Sequence, residues 1–192
     1  ARDRSVDRGV SLDGIDWYDE APKLAERDDI DIIVEMIGGS EGVALDLARA
    51  ALRSGKHLIT ANKAMIAHHG AELAQLAESH DVNILFESAV AGGIPAVKTL
   101  REGLAGNNIT RVAGILNGTC NYILSTMETT GRNFEEVLAD AQRFGYAEAE
   151  PSFDVDGIDA AHKLTILAAI AFGHKPDFNA VSIQGIRDVS SV

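Results

Sequence analysis

The sequence predicts an α/β protein, with a parallel sheet in its first half and a second α/β domain behind it. Up to residue 89, short β-branched runs alternate with helical patterns, and the links between them are short. Strand–helix–strand units of this kind form right-handed crossovers and a parallel sheet. The alternation breaks at the glycine loop "AGG" that follows, so we place the boundary between domains at residues 1–89 and 90–192.

Three strands and two helices are predicted in the first domain. The strands are "DIDIIVEMIGG" (29–39), "KHLITANK" (56–63) and "VNILFESA" (82–89). Residues 41–55 and 64–81 have helical periodicity, and the first of these helices ends at a glycine.

The second domain is predicted to mix helices with two strands. A glycine loop leads into a helix that ends near residue 106, and "ITRVAGIL" (109–116) is a strand. Three further helices follow, at 117–131 after a loop, at 133–145 and at 157–173. Asn133 is the expected N-cap of the middle one, because Glu136 stands three residues later. The tail from residue 179 is expected to end in a strand.

Composition excludes several classes of protein. The chain has 192 residues, 17 basic and 29 acidic, for a net charge of -12, which argues against nucleic acid or an anionic membrane as the main partner. Cys120 is the only cysteine, so no internal disulfide or cysteine metal cage forms, which fits a reducing cytosol. No apolar run reaches the roughly 18 residues of a membrane helix, and we expect a cytoplasmic protein. The chain opens without a Met, as a piece of a longer protein would.

Three strand ends carry candidate ligand residues, each with a structural alternative. Gly38 and Gly39 follow the first strand, where ligands of open sheets bind, but a tight turn explains them equally well. Lys63 ends the second strand, although strand-end lysines are usually solvated. Glu87 precedes a glycine loop whose carbonyls suit a hard cation, and a hinge is the favoured alternative. The sequence contains no GxGxxG.

The stretch "FDVDGIDAAHKL" places charge at the start of an apolar helix. Asp159 and Lys163 share a helix face, and an exposed pair of this kind is worth only about 0.2–0.5 kcal/mol. The following residues "LTILAAIAF" predict a buried helix, so the pair is expected to face a polar cavity. A lysine held there suits proton donation to a developing alkoxide. Asp154 and Asp156 could cap the helix and oppose its dipole, which explains one of them easily but not the Asp–Lys face. The pattern alone leaves function and structure about equal.

Two other kinds of chemistry find no support. The six histidines show no metal-ligand spacing such as HExxH. Cys120 and the serines have no triad context, which argues against nucleophilic catalysis.

Five blocks of the sequence together resemble homoserine dehydrogenase, in order and with the family's spacing over nearly the whole chain. They are "DIIVEMIGG", "TANKAMIAHHG", "FESAVAGGIPAVKTLREGLAGN", "GILNGTCNYILSTM" and "AQRFGYAEAEPSFDVDGIDAAHKLTILAAIAFG". The resemblance implies an incomplete Rossmann-type sheet followed by an α/β substrate-binding and dimerisation domain. It implies interconversion of L-homoserine and L-aspartate 4-semialdehyde with NADP or NAD, in threonine, methionine and isoleucine biosynthesis, by a homodimer.

The resemblance also implies roles for individual residues. Lys163 matches the proton donor, Asp159 its companion acid, and Glu148 the carboxylate that binds the substrate's amino group. The other substrate positions are Asp154, Tyr146, Gly118, Thr119 and Lys63. Cofactor positions are Lys63, Thr60, Ile37, Gly38 and Gly39, with Arg2 and Arg4 placed to meet a 2′-phosphate. A sodium site is implied at Glu87 and the carbonyls of Val90, Gly92 and Ile94.

The family's GxGxxG segment and its final strands have no counterpart in this sequence. We therefore expect the chain alone to lose NADP affinity and turnover. The alternative function is a catalytically inactive fragment that keeps only the substrate-domain dimer. Aspartate-semialdehyde dehydrogenase is a weaker alternative, because it needs a nucleophilic cysteine and Cys120 lies in the wrong context.

Overall fold

The computed structural model describes Gly9, Ser11 and residues 13–190. The chain divides into two compact units, Ala1–Gly103 and Leu104–Val192. The domain boundary predicted near residue 89 stays a prediction. Arg2 and Arg4 lie outside the described residues. Within the described residues, every helix is too short or too polar to cross a membrane.

The first unit contains a three-stranded parallel sheet. Strands β1 (Ile32–Glu35), β2 (His57–Thr60) and β3 (Ile84–Leu85) pair in that order, joined by helices α1 (Val43–Arg53) and α2 (Lys63–Ser79). The predicted α/β class and parallel pairing are therefore confirmed. A short 3-10 helix, Ala21–Glu26, precedes β1.

Side-chain alternation gives the sheet one buried face. In β1, Ile33 and Glu35 are buried, whereas Ile32 and Val34 are 50% and 59% exposed. The core of the unit forms between the buried face and the apolar sides of the two helices, from residues such as Leu45, Leu52, Leu58, Met65 and Leu73. The register pairs Glu35 with Thr60, so both strands end at the same edge of the sheet.

The third predicted strand is shorter than expected. β3 has two residues, and the chain then turns into the short helices α3 (Ser88–Ala91) and α4 (Ala96–Lys98), which continue as a π-helix over Thr99–Gly103. The pairing of β3 with β2 involves only Ile84 and Leu85, so the strand ends after these two residues.

The second unit contains four α-helices in its described part. They are α5 (Gly118–Thr130), α6 (Phe134–Arg143), α7 (Ser152–Val155) and α8 (Ile158–Phe172), followed by a 3-10 helix, Phe178–Ala180. The predicted capping box is confirmed, since the Asn133 side chain accepts from the Glu136 N–H and the Glu136 side chain accepts in return. The core of α5, α6 and α7 is formed by Ile123, Met127, Phe134, Val137, Ala141, Ala147 and Val155.

Two predicted strands in this unit are wrong. Residues 109–116 and the described part of the tail, to residue 190, contain no strand. A strand needs a neighbour for its backbone groups, and the described residues of this unit supply none. Ile115, an apolar residue within this predicted strand, is 79% exposed and so is not buried against a sheet.

Candidate functional site

Lys163 and Asp159 form a hydrogen-bonded ion pair on α8. The Lys163 Nζ lies 2.7 Å from Asp159 Oδ2, and the two side chains are only 19% and 6% exposed. The ammonium also donates to the backbone carbonyl of Leu116 at 2.8 Å. An ammonium has three N–H donors, so these two bonds fix its position and leave one donor for an incoming oxygen.

Asn117 connects this pair to a second acid. Its Nδ2 donates to Asp154 Oδ1 at 2.7 Å and to Asp159 Oδ2 at 2.9 Å. Its Oδ1 accepts from the Cys120 N–H at 2.8 Å and so caps the start of α5. The side-chain amide therefore holds two carboxyl groups close together by donating a hydrogen bond to each of them.

The start of α5 closes one side of the cluster. Thr119 Oγ1 lies 2.7 Å from the Tyr146 carbonyl and 3.2 Å from Asp154 Oδ2. The Tyr146 ring packs on Tyr122 with centroids 4.9 Å apart and remains 58% exposed. The structure thus brings Asp154, Asp159, Lys163, Thr119 and Tyr146 into one region.

Cys120 lies against the same cluster without the character of a nucleophile. Its Sγ donates to the Asp154 carbonyl at 3.2 Å. Burial, with smaller contributions from the charges of Asp154 and Asp159, raises the pKa of its thiol to about 11. A thiol of that pKa is almost wholly protonated near neutral pH and is therefore a weak nucleophile.

Capping does not explain the two acids that precede α8. The helix begins after Gly157, which has a φ of 85° and no capping side chain. Asp154 bonds to Asn117 and Thr119, and Asp156 pairs with Arg187. The capping alternative is therefore wrong for both residues.

Besides Tyr146, two further predicted substrate residues are at the surface. Glu148 is exposed, and Gly118 is the exposed first residue of α5. The Glu148 backbone carbonyl accepts from Gln142 Nε2 at 3.0 Å, which anchors the main chain at this position. The carboxylate role of Glu148 stays a prediction.

A second candidate site lies at the carboxyl edge of the sheet in the first unit. The Glu35 carboxylate is fully buried and accepts from the Ile37 N–H at 2.6 Å and the Gly38 N–H at 3.2 Å. Its second oxygen accepts from Thr60 Oγ1 at 2.5 Å. One acid thus fixes the turn after β1 and ties it to the end of β2.

Asn62 completes this edge. Its Nδ2 donates to the Gly39 carbonyl at 2.6 Å, and its Oδ1 accepts from the Met65 N–H at 3.0 Å as the N-cap of α2. Gly38 and Gly39 have φ values of 86° and 83°, which favour glycine, and a Cβ on Gly38 would meet nothing within 4 Å. The open backbone of this turn suits the close approach of a ligand. Lys63 is the first residue of α2, at the same edge.

The Glu87 carboxylate binds backbone amides. Its two oxygens accept from the Val97 and Lys98 N–H groups at 2.8 and 2.7 Å. Each oxygen keeps a further lone pair, so a cation can share this carboxylate. Among the described residues, His, Cys, Asp and Glu side chains form no group of three that could hold a metal. A sodium ion at Glu87 would need the backbone carbonyls for its other ligands.

Sequence reasoning missed three residues that organise these sites: Asn117, Glu35 and Asn62. Glu35 had a signal, since it is a lone acid at the end of a strand otherwise made of Ile and Val. Asn62 and Asn117 each stand just before a helix, as N-caps do. The second bond of each side chain, to Gly39 or to the two acids, had no signal in the sequence.

Comparisons with known proteins point to one family. The family profile described as "Homoserine dehydrogenase" matches residues 95–192, and the profile "Homoserine dehydrogenase, NAD binding domain" matches residues 1–87. The homoserine dehydrogenase of Pseudomonas aeruginosa is 55% identical over 168 residues, which cover 88% of this chain and 38% of that protein.

Solved structures agree. The crystal structure of a homoserine dehydrogenase from Thiobacillus denitrificans matches with a TM-score of 0.86 at 50% identity, over 88% of this chain and 39% of that one. A hyperthermophilic archaeal homoserine dehydrogenase in complex with NADPH matches with a TM-score of 0.81 at 34% identity, over 89% and 52%. The chain spans about two fifths of the length of the curated relatives it matches.

Proposed function

The chain belongs to the homoserine dehydrogenase family, and on that premise we propose that it is part of an enzyme that interconverts L-homoserine and L-aspartate 4-semialdehyde. The observation that carries the proposal is the placement of the Lys163 ammonium, which is held by Asp159 and the Leu116 carbonyl with one donor left over. The domains are proposed as residues 1–89 for NAD(P) binding and residues 90–192 for the substrate.

Lys163 is the proposed proton donor. When the semialdehyde is reduced, its carbonyl oxygen becomes an alkoxide and takes a proton from the ammonium. In the opposite direction the neutral amine accepts the hydroxyl proton. Asp159 orients the lysine, because an acid four residues earlier on a helix lies beside the amine.

Substrate binding is proposed for the acids and the α5 loop. The substrate carries an ammonium and a carboxylate, and its ammonium needs a carboxylate partner such as Glu148 or Asp154. The Asn117 amide donates to both Asp154 and Asp159 and so holds the two carboxyl groups in fixed positions. Gly118, Thr119 and Tyr146 complete the proposed pocket.

The turn after β1 is proposed to hold NADP or NAD. Ile37, Gly38 and Gly39 offer an open backbone, and Thr60 and Lys63 stand at the same edge. A nicotinamide, when bound, exchanges the hydride with the substrate carbon. The chain's own contribution here is the shape of the turn, which Glu35 and Asn62 fix. Arg2 and Arg4 are proposed contacts for a 2′-phosphate.

Further parts of the proposal rest on family membership. Sodium is proposed at Glu87, whose carboxylate and the neighbouring carbonyls of Val90, Gly92 and Ile94 are hard oxygen donors. We propose a cytoplasmic homodimer that acts in threonine, methionine and isoleucine biosynthesis.

The test is a chimera. The matching 168 residues are exchanged into the Pseudomonas aeruginosa relative, and homoserine-dependent reduction of NADP or NAD is followed at 340 nm. We expect an active chimera, and Lys163→Met should lower kcat by about 10²–10⁴-fold, the usual contribution of a positioned acid or base. Lys175→Met, at an exposed lysine beyond the end of α8, is the matched control and should keep full activity.

Three outcomes would contradict parts of the proposal. An inactive but folded chimera favours the alternative of a non-catalytic substrate-domain fragment. Full turnover of Lys163→Met removes the lysine from the reaction. Homoserine oxidation by the purified 192-residue chain would overturn the expectation that it is inactive without a GxGxxG segment.

A further inference from the structure

Residues 183–187 lie across the turn between α7 and α8. The Ile186 N–H donates to the Val155 carbonyl at 2.8 Å. The contact is so close that a Cβ on Gly185 would lie 2.8 Å from the Val155 carbonyl oxygen. On the turn itself, a Cβ on Gly157 would lie 3.1 Å from Ile183 Cγ2. Glycines on both sides therefore allow two backbone segments to touch.

The Arg187 side chain stabilises the same contact. Arg187 Nε lies 2.5 Å from Asp156 Oδ1, and its Nη2 lies 3.2 Å from Asp156 Oδ2 and 2.8 Å from Ser152 Oγ. The guanidinium holds the pKa of the Asp156 carboxyl below its usual value. This two-pronged geometry gives Asp156 a partner that the sequence pattern did not reveal.

The turn between α7 and α8 follows Asp154, a residue of the proposed substrate pocket. Asp154 directly precedes Val155, whose side chain is fully buried and whose carbonyl accepts the tail's hydrogen bond. Ile186 packs against the same core cluster. On its opposite side, the Asp154 carboxylate bonds to Asn117 and Thr119. The turn is thus held from the tail on one side and from α5 on the other.

We propose that residues 183–187 act as a strap that positions Asp154 for substrate binding, with Asp156 and Arg187 as its fastening pair. The inference rests on the proposed function and extends it, since it assigns positioning residues outside the pocket. The competing interpretation is a surface ion pair, because both side chains are more than 40% exposed and such pairs contribute little. The two interpretations differ in what they predict for substrate affinity.

The strap should act on binding more than on turnover. Lys163 is held by its own bonds to Asp159 and the Leu116 carbonyl, which are separate from the Ile186–Val155 and Arg187–Asp156 bonds of the strap. In the chimera, Arg187→Ala is expected to raise the KM for homoserine by about 3- to 10-fold while kcat changes less than about 2-fold. Arg187→Lys keeps the positive charge but not the two-nitrogen contact of the guanidinium, so its KM for homoserine should lie between those of wild type and Arg187→Ala.

Arg132→Ala is the matched control. Arg132 forms a second Arg–Asp pair in the same unit, with Asp140 at 2.7 Å and a comparable arginine exposure of 38%. The hydrogen bonds of its side chain go to Asp140 and the Glu136 carbonyl, and its backbone N–H donates to Thr130, so none of these bonds reaches the strap. Its removal should leave the KM for homoserine unchanged.

A second measurement needs no enzymatic activity. Cys120 is the only cysteine, and its Sγ donates to the Asp154 carbonyl, so its alkylation rate in the purified chain reports on the position of Asp154. Arg187→Ala should raise that rate by about 3-fold or more, whereas Arg132→Ala should not change it. Circular dichroism verifies that each variant is folded.

The outcomes separate the strap from the proposed function. A faster Cys120 reaction in Arg187→Ala supports the strap even if the chimera is inactive, in which case the proposed function fails alone. An active chimera with equal KM values and equal alkylation rates for Arg187→Ala and wild type overturns the strap. A loss in kcat without a change in KM also overturns it.

Discussion

Asn117→Asp tests whether the amide at this position lies between the carboxyl groups of Asp154 and Asp159. The variant keeps the shape of the side chain and the oxygen that caps α5. It replaces the Nδ2 donor, 2.7 Å from Asp154 and 2.9 Å from Asp159, with an acidic oxygen. Three carboxyl groups would then share a space in which one ammonium is present.

The expected magnitude follows from two competing costs. Ionising the new carboxyl group at position 117 is costly, because one repulsive contact at about 3 Å amounts to about 6 kcal/mol at an effective dielectric constant of about 20. Keeping that carboxyl group protonated at pH 7 costs about 4 kcal/mol, from 1.36 kcal/mol per unit above an unfolded pKa of about 3.9. Protonation is the cheaper solution, so the folded-state pKa of the new acid is raised.

The sign of the pH dependence follows directly. An acid whose folded-state pKa is raised destabilises the protein above its unfolded pKa, and the penalty grows as the pH rises. The difference in unfolding free energy between wild type and Asn117→Asp should therefore increase by about 2 kcal/mol from pH 5 to pH 6.5. Loss of one hydrogen bond to a carboxyl group lowers the unfolding free energy of Asn117→Asp by about 1.5–3 kcal/mol more at every pH.

Urea unfolding measures this difference. Near-ultraviolet circular dichroism of the packed Tyr122–Tyr146 pair follows the second unit, and fluorescence of the only tryptophan, Trp17, follows the first. Asn121→Asp, at an exposed position on the same helix, is the control and should change stability by less than about 0.5 kcal/mol. A destabilisation of Asn117→Asp that stays constant from pH 5 to 6.5 would refute the arrangement of the two acids around the amide.

Three further predictions test single contacts. Because the pKa of Cys120 is raised to about 11, its rate of alkylation by iodoacetamide at pH 8 should be about 100-fold lower than that of a free thiol. The rate should rise about tenfold per pH unit to pH 10, and a plateau near pH 9 would contradict a buried thiol. Glu35→Ala should lower the unfolding free energy of the first unit by about 3–5 kcal/mol, since it leaves two amides and the Thr60 hydroxyl without their acceptor. Glu35→Gln should lower it by about half as much in urea unfolding followed by Trp17 fluorescence, and equal losses for the two variants would show that the bonds are unimportant. Gly185→Ala should lower the unfolding free energy of the second unit by about 1–3 kcal/mol, because the added Cβ clashes with the Val155 carbonyl. The control Gly106→Ala, whose Cβ meets nothing within 4 Å, should lose no stability, and equal melting temperatures for the two variants would argue against the close contact.

Features decided by nearby residues could be predicted from the sequence. The capping box of α6 needs only Asn133 and Glu136, three positions apart, and it is present. The pairing of Asp159 with Lys163 needs only the helical repeat. The parallel sheet was also accessible, because alternating strands and helices with short links leave few other topologies.

Features decided by distant partners could not. Residues 109–116 have strand-like composition, but composition does not supply the neighbouring strand that a ladder requires. The bonds from Asn117 to Asp154 and Asp159 cross 37 and 42 residues, and the Arg187–Asp156 pair crosses 31. The pattern of charges in 153–164 showed that partners were needed without showing which residues they were.

The partners change the energetic meaning of the Asp159–Lys163 pair. On an exposed helix the pair would add only a few tenths of a kcal/mol. Here Asp159 is 6% exposed, and its charge is balanced by both the ammonium and the Asn117 amide. Removing either partner leaves a buried charge less compensated, which costs more than the pair contributes when intact. The same arrangement that makes the site sensitive to substitution therefore also holds the Lys163 side chain in one position, where we propose that it donates a proton.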